Sequence, residues 1–204
     1  MKPMVYLMLA LLIGPVAAES IDNSFVRVTR GTALCASNSS PQCADRVVVA
    51  LGDTTVKSAG ITRKLRRGEV AVFGPNDSYA VQGSEFVEVM IKHDHPASNA
   101  PGDMIAAEKN ALLFDGDDFF VFEEKLAPGD TRPRHSHSQR VVIQLNQTTL
   151  RQWPDNKPEL LMEIVPDAIG FSAPVIHVVE NVGSQPLRGV IIEFKPGKPG
   201  RLRR

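Results

Sequence analysis

Two stretches of this chain repeat each other in register: Asp45-Arg46-Val47-Val48-Val49-Ala50-Leu51 and Gln139-Arg140-Val141-Val142-Ile143-Gln144-Leu145. A second pair follows, with Gly74-Pro75-Asn76-Asp77-Ser78-Tyr79-Ala80-Val81 resembling Ser172-Ala173-Pro174-Val175-Ile176-His177-Val178-Val179. Each half then reaches a Gly-Ser turn, Gly83-Ser84 or Gly183-Ser184, and a final apolar run closed by Lys92 or Lys195. Self-similarity over such a span is the mark of one unit folded twice. The break falls within residues 93–110, which divides the chain into 19–100 and 101–204.

The repeated unit reads as β-structure. Arg46–Leu51, Glu69–Phe73, Phe86–Ile91, Phe119–Phe122, Val141–Leu145, Leu160–Val165, Val175–Val179 and Val190–Phe194 are short β-branched or aromatic runs between turn residues. Val56–Ser58 and Ile61–Leu65 flank Ala59-Gly60 as in a hairpin. Helical periodicity is nearly absent, and only Met104–Leu112 is expected to form a short helix. Many short strands with regular turns predict an all-β sandwich or barrel.

Residues 1–18 have the form of a signal peptide: Lys2, an apolar run from Tyr6 to Ile13, and the small residues Val16-Ala17-Ala18. The mature protein is therefore expected to be exported, periplasmic or secreted, with no membrane anchor after cleavage. In an oxidising compartment, Cys35 and Cys43 are expected to close a small loop as a disulfide. A metal pair or a free thiol lacks support, since there is neither Cys-x-x-Cys spacing nor an adjacent histidine. With 23 basic and 23 acidic residues the formal charge is zero, which argues against nucleic acid as a partner.

The chemistry concentrates in Gly129-Asp130-Thr131-Arg132-Pro133-Arg134-His135-Ser136-His137. On a strand, i and i+2 share a face, so His135 and His137 aim both imidazoles to one side. His177 follows on a later strand of the same half. Three converging imidazoles suit a divalent transition metal: Fe, Mn, Ni, Zn or Cu. His93 and His95 have the same i, i+2 spacing but lie in a Pro-rich linker, where solvent exposure is expected.

Gly129-x5-His135-x-His137 and Pro174-x-x-His177-x3-Asn181 resemble the two sequence motifs of the cupin superfamily. The resemblance covers the second half well and the first half weakly. It implies two tandem cupin (double-stranded β-helix, jelly-roll) barrels, the first degenerate, with Cys43 and Tyr79 standing where ligand histidines belong. It also implies one metal on His135, His137 and His177, and a possible homodimer through barrel edges. The family's carboxylate ligand is missing: Val141 and Val142 take its place, with Arg140 adjacent.

An arginine there repels a cation but suits a small anionic ligand. Arg46 recurs at the equivalent position, so a shared structural role competes with ligand binding. One of Glu123 and Glu124 must face inward, and Asn181 is expected to fix a turn. The resulting function is an exported metal- or anion-binding cupin, oxygenase- or isomerase-like if it is an enzyme. The alternative is a non-catalytic binding or structural cupin that has lost its metal-binding Glu.

Overall fold

The computed structural model of the protein describes residues 21–34, 44–98 and 110–197. The leader-like segment, both cysteines and residues 198–204 lie outside these. Every regular element among the described residues is a β-strand. The first half contributes β1 (Ile21–Asp22), β2 (Val26–Arg30), β3 (Arg46–Ala50), β4 (Thr54–Ser58), β5 (Ile61–Leu65), β6 (Val70–Phe73), β7 (Tyr79–Gln82) and β8 (Phe86–Ile91). The second contributes β9 (Asn110–Asp115), β10 (Phe119–Leu126), β11 (Thr131–His137), β12 (Arg140–Gln144), β13 (Thr148–Pro154), β14 (Leu160–Ile164), β15 (Ile169–Ser172), β16 (Val175–Asn181) and β17 (Leu187–Phe194).

The duplication read from the sequence is a duplication of topology. Sheet order β1-β2-β8-β3-β6 in the first half corresponds to β9-β10-β17-β12-β15 in the second. Likewise β5-β4-β7 corresponds to β14-β13-β16, to which β11 is added as an edge strand. A first-half counterpart of β11 would fall within 35–43, outside the described residues. In the repeat Val56 matches Leu150, and these pair with Val81 and Asn181. Strand register therefore sets Tyr79 against Val179, two residues beyond His177 and on the same face.

Period-two alternation lets each five-stranded sheet serve two cores. One face carries Val47, Val49, Val87, Val89 and Ile91 in the first half and Val121, Val141, Ile143, Val190, Ile192 and Phe194 in the second. These pack into a single cluster shared by both halves. The opposite face looks into its own barrel. In the first half that interior is filled by Val48, Ala50, Val56, Leu65, Ala71, Phe73, Tyr79 and Phe86. There the Tyr79 hydroxyl donates to Glu88 Oε2 at 2.6 Å and its ring stacks on Phe73. Arg46 lies over the same ring.

Two local expectations are corrected. The short helix foreseen over Met104–Leu112 does not extend to 110–112, because Asn110–Asp115 pairs with β10 as an edge strand. The sheet ladder outweighs the weak local preference of Asn110-Ala111-Leu112. His95 is not exposed: at 3% exposure its ring stacks on Phe25 and meets the edge of Phe194. Residues 93–98 are drawn toward the shared core because the His95 ring packs on those of Phe25 and Phe194.

Candidate metal centre

The centre forms where β11 and β16 lie side by side. Gly129, with φ of 78°, turns the chain out of β10, and its N–H bonds Asn181 O at 2.8 Å. β11 then runs antiparallel to β16 with His135 directly opposite His177 and His137 opposite Val175. A register irregularity between Arg132 and His135 accommodates Pro133, a residue without an N–H that edge strands tolerate. Asn181 fixes this end of the barrel, donating to Leu126 O and Gln185 O at 2.9 and 2.8 Å and accepting from Thr148 Oγ1 at 2.7 Å.

The three imidazoles meet through their Nε2 atoms. His135 Nε2 stands 3.2 Å from His137 Nε2 and 3.1 Å from His177 Nε2. All three ligand atoms lie within 4.8 Å of one another, and all three residues are buried. Nitrogens bonded to one ion at about 2.0–2.1 Å stand about 3 Å apart, so the spacing fits a shared metal. Each Nδ1 faces outward to an acceptor: Pro133 O at 2.8 Å, Glu193 Oε2 at 2.7 Å and Gln152 Oε1 at 3.0 Å for His135, His137 and His177. Those acceptors hold the proton on Nδ1 and leave the Nε2 lone pairs to converge, as in outer-shell support of metal-ligating histidines. Among the described residues no other group of histidine, cysteine and carboxylate side chains has metal-binding spacing.

The surroundings are charged. Of the two candidate carboxylates Glu124 faces inward, paired with the buried Arg132. Glu123 faces the other way, to Arg188 at 2.5 Å and Lys125 at 2.7 Å. Arg140 lies beside the centre, its Nη1 donating to Ser138 O and Ala173 O at 3.3 and 3.1 Å. Arg46 likewise bonds the carbonyls of Gly74 and Asp77 in the equivalent loop. The two arginines therefore share a structural task, bracing the loop before β7 or β16. Glu193, Gln152 and Ser138 were missed. A glutamate inside Val190-Ile191-Ile192-Glu193-Phe194 breaks an apolar run, and that was the available signal.

Burial dominates the titration of the site. Desolvation pushes His137 down to about 3, aided by the Arg140 charge, and His177 down to about 2, aided by the neighbouring histidines. His135 is lowered as well, chiefly by burial, and burial raises Glu193 to about 7. The signs differ. The histidines, depressed in the fold, give stability that is lost as pH falls below about 6.5, where the unfolded chain takes up protons first. Glu193 gives stability that is lost as pH rises toward 7. The three histidines outnumber the one carboxylate. The metal-free protein is therefore expected to lose melting temperature steadily from pH 6.5 to 4.5, His137 and His177 each contributing up to about 1.4 kcal/mol per pH unit. A thermal-melt series flat over that range contradicts this.

A separate cavity of about 510 Å³ lies away from the centre, lined by Asp45, His93, Phe114, Gly116, Asp117, Asp118 and Phe119. His93 stands half-buried there, 4.0 Å from Asp45.

No protein-family model and no curated protein sequence matches the chain. Solved structures do. Protein Ylba from E. coli superposes with a TM-score of 0.58 at 12% identity, over 89% of this chain and 83% of its own. A Cupin 2 conserved barrel domain protein from Leptotrichia buccalis gives 0.56 at 11%, over 87% and 88%. The oxalate decarboxylase of Lactobacillus farciminis gives 0.54 at 11%, over 90% and 85%. At this identity the likeness establishes the architecture: the chain has the cupin fold, with tandem jelly-roll barrels.

Proposed function

We propose that this cupin-fold chain holds one divalent transition metal on His135, His137 and His177, and uses it to bind a small anionic molecule in the second barrel. The observation that carries the reading is the set of three Nε2 atoms converging while every Nδ1 is hydrogen-bonded outward. Three neutral nitrogen donors fit Fe, Mn, Ni, Zn or Cu. Such an ion, when bound, supplies Lewis acidity and open positions for an oxygen ligand. His135, His137 and His177 orient it, and Arg140 supplies a fixed positive charge that favours an anion over a cation in those positions. An oxygenase- or isomerase-like activity fits this arrangement. The leader-like residues 1–18 support an exported protein.

That no carboxylate among the described residues joins the converging donors favours one alternative, a non-catalytic ligand-binding cupin. Metal analysis of the purified protein addresses the common ground of both. About one equivalent of a transition metal is expected in the parent and none in the His135→Ala/His137→Ala variant. A metal-free parent whose melting temperature ignores added Fe, Mn, Ni and Zn sinks the metal reading. Turnover of small carboxylates by the loaded parent, absent in the double variant, separates enzyme from binder.

A further inference from the structure

β17 is built for burial. Ile191, Ile192 and Phe194 are almost wholly enclosed, and Glu193 among them is only 5% exposed. A carboxylate at such a depth is costly unless something there needs it. Its Oε1 accepts from the Ser138 backbone N–H at 2.8 Å and from Ser138 Oγ at 3.2 Å. Its Oε2 faces His137 Nδ1 at 2.7 Å. No lysine or arginine among the described residues comes within ion-pair distance of it. Glu124, the other inward carboxylate, is already engaged by Arg132.

The register explains the placement. Glu193 pairs across the sheet with Arg140, the residue standing beside the place that a ligand carboxylate would occupy on β12. A ligand there would reach the ion directly. Glu193, one strand over, reaches only the far nitrogen of His137. We infer that Glu193 is the carboxylate of this centre, acting through His137: it holds that ring in the Nδ1–H form, aims its Nε2 lone pair and offsets the Arg140 charge.

The inference rests on the metal-binding reading. In a carboxylate–histidine–metal relay the negative charge raises the basicity of the ligating nitrogen without occupying a coordination position. The centre thereby keeps more open positions than one with a fourth protein ligand. It also tolerates a neighbouring arginine, because Arg140 and the ion share Glu193 as a counter-charge.

Glu193→Gln is the discriminating change, because it keeps the shape and removes the charge. If the amide oxygen faces His137, the NH2 group meets the Ser138 N–H donor to donor. If the NH2 faces His137, the ring must carry its proton on Nε2, where the lone pair is needed. Zn²⁺ affinity, measured by competition with a chromogenic chelator, is expected to fall about 10–100-fold. The visible spectrum of the Co²⁺-loaded protein shifts with it. Glu123→Gln removes a charge on the opposite face of β10, where Arg188 and Lys125 engage it, and its Zn²⁺ affinity is expected to equal the parent's.

A Glu193→Gln variant that binds Zn²⁺ as tightly as the parent overturns the inference while leaving the metal reading intact. So does a Glu123→Gln variant as weak as the Glu193→Gln variant, since the loss would then follow fold stability rather than the His137 bond. A parent that takes up no Zn²⁺ or Co²⁺ removes both readings together. Should the Glu193→Gln variant not fold, Glu193→Asp, which withdraws the carboxylate by one methylene, is read in the same assays with the same expected direction.

Discussion

Replacing Glu124 with Leu lowers the unfolding free energy by about 3–5 kcal/mol, because it removes an acidic partner of a buried guanidinium. Arg132 is 1% exposed, and Glu124 is its acidic partner, with Asn110 Oδ1 accepting from Nη2 at 3.1 Å. A guanidinium at that depth cannot recover its hydration when the carboxylate goes. The leucine itself is of suitable size, so lost volume is not the cause. The double variant Glu124→Leu/Arg132→Met therefore recovers most of the loss, since the buried guanidinium leaves together with this carboxylate. Equilibrium denaturation of the two variants settles it. A single variant within about 1 kcal/mol of the parent, or a double variant worse than the single, contradicts the account. The single variant also leaves a positive charge near the three converging imidazoles, so under the proposed metal reading its metal affinity falls as well.

Phe194→Ala costs a similar amount, about 3–5 kcal/mol, by a different route. Phe194 is fully buried, meets the edge of Phe25 at 5.0 Å and lies 4.8 Å from His95. Its ring fills the cluster in which the sheets of both halves meet. Rigid β-sheets on either side cannot close around the void, so most of the cavity term is retained. The melting temperature falls by roughly 10 °C for a chain of this length. Because the core is shared, both halves melt together in one lower transition. Two separated calorimetric transitions in the variant, or a loss below about 1 kcal/mol, count against a common core.

These two residues show how unevenly the chain discloses itself. The strand Phe86–Ile91 and the hairpin partner Ile61–Leu65 were legible because runs of β-branched or aromatic residues stop at clear turns. Thr148–Pro154 was not read as a strand. Its sequence TTLRQWP mixes polar and apolar side chains and ends in proline, and it is extended because β14 and β16 pair with it on either side. Residues 110–112 were expected to end the helix Met104–Leu112 for a similar reason: an edge strand pairs on one side only and needs little apolar periodicity. At the site, the two-residue spacing disclosed His135 and His137, and the motif spacing disclosed His177. Glu193 and Gln152 stayed hidden because they are distant in sequence and belong to no local pattern.

What the sequence determined by itself is everything that follows from the geometry within one strand. Alternation every two residues puts His135 and His137 on one face, and gives β3, β8 and β12 one wholly apolar face each. The repeat of Asp45–Leu51 in Gln139–Leu145 requires that this arrangement be built twice. The tertiary structure alone decided register: that His135 stands opposite His177, that Glu193 stands opposite Arg140, and that Tyr79 corresponds to Val179. Register depends on loop lengths, on the irregularity at Pro133 and on the twist of sheets assembled from distant segments. A shift of one residue turns every side chain to the other face, so only the assembled barrel fixes which charges surround the three histidines.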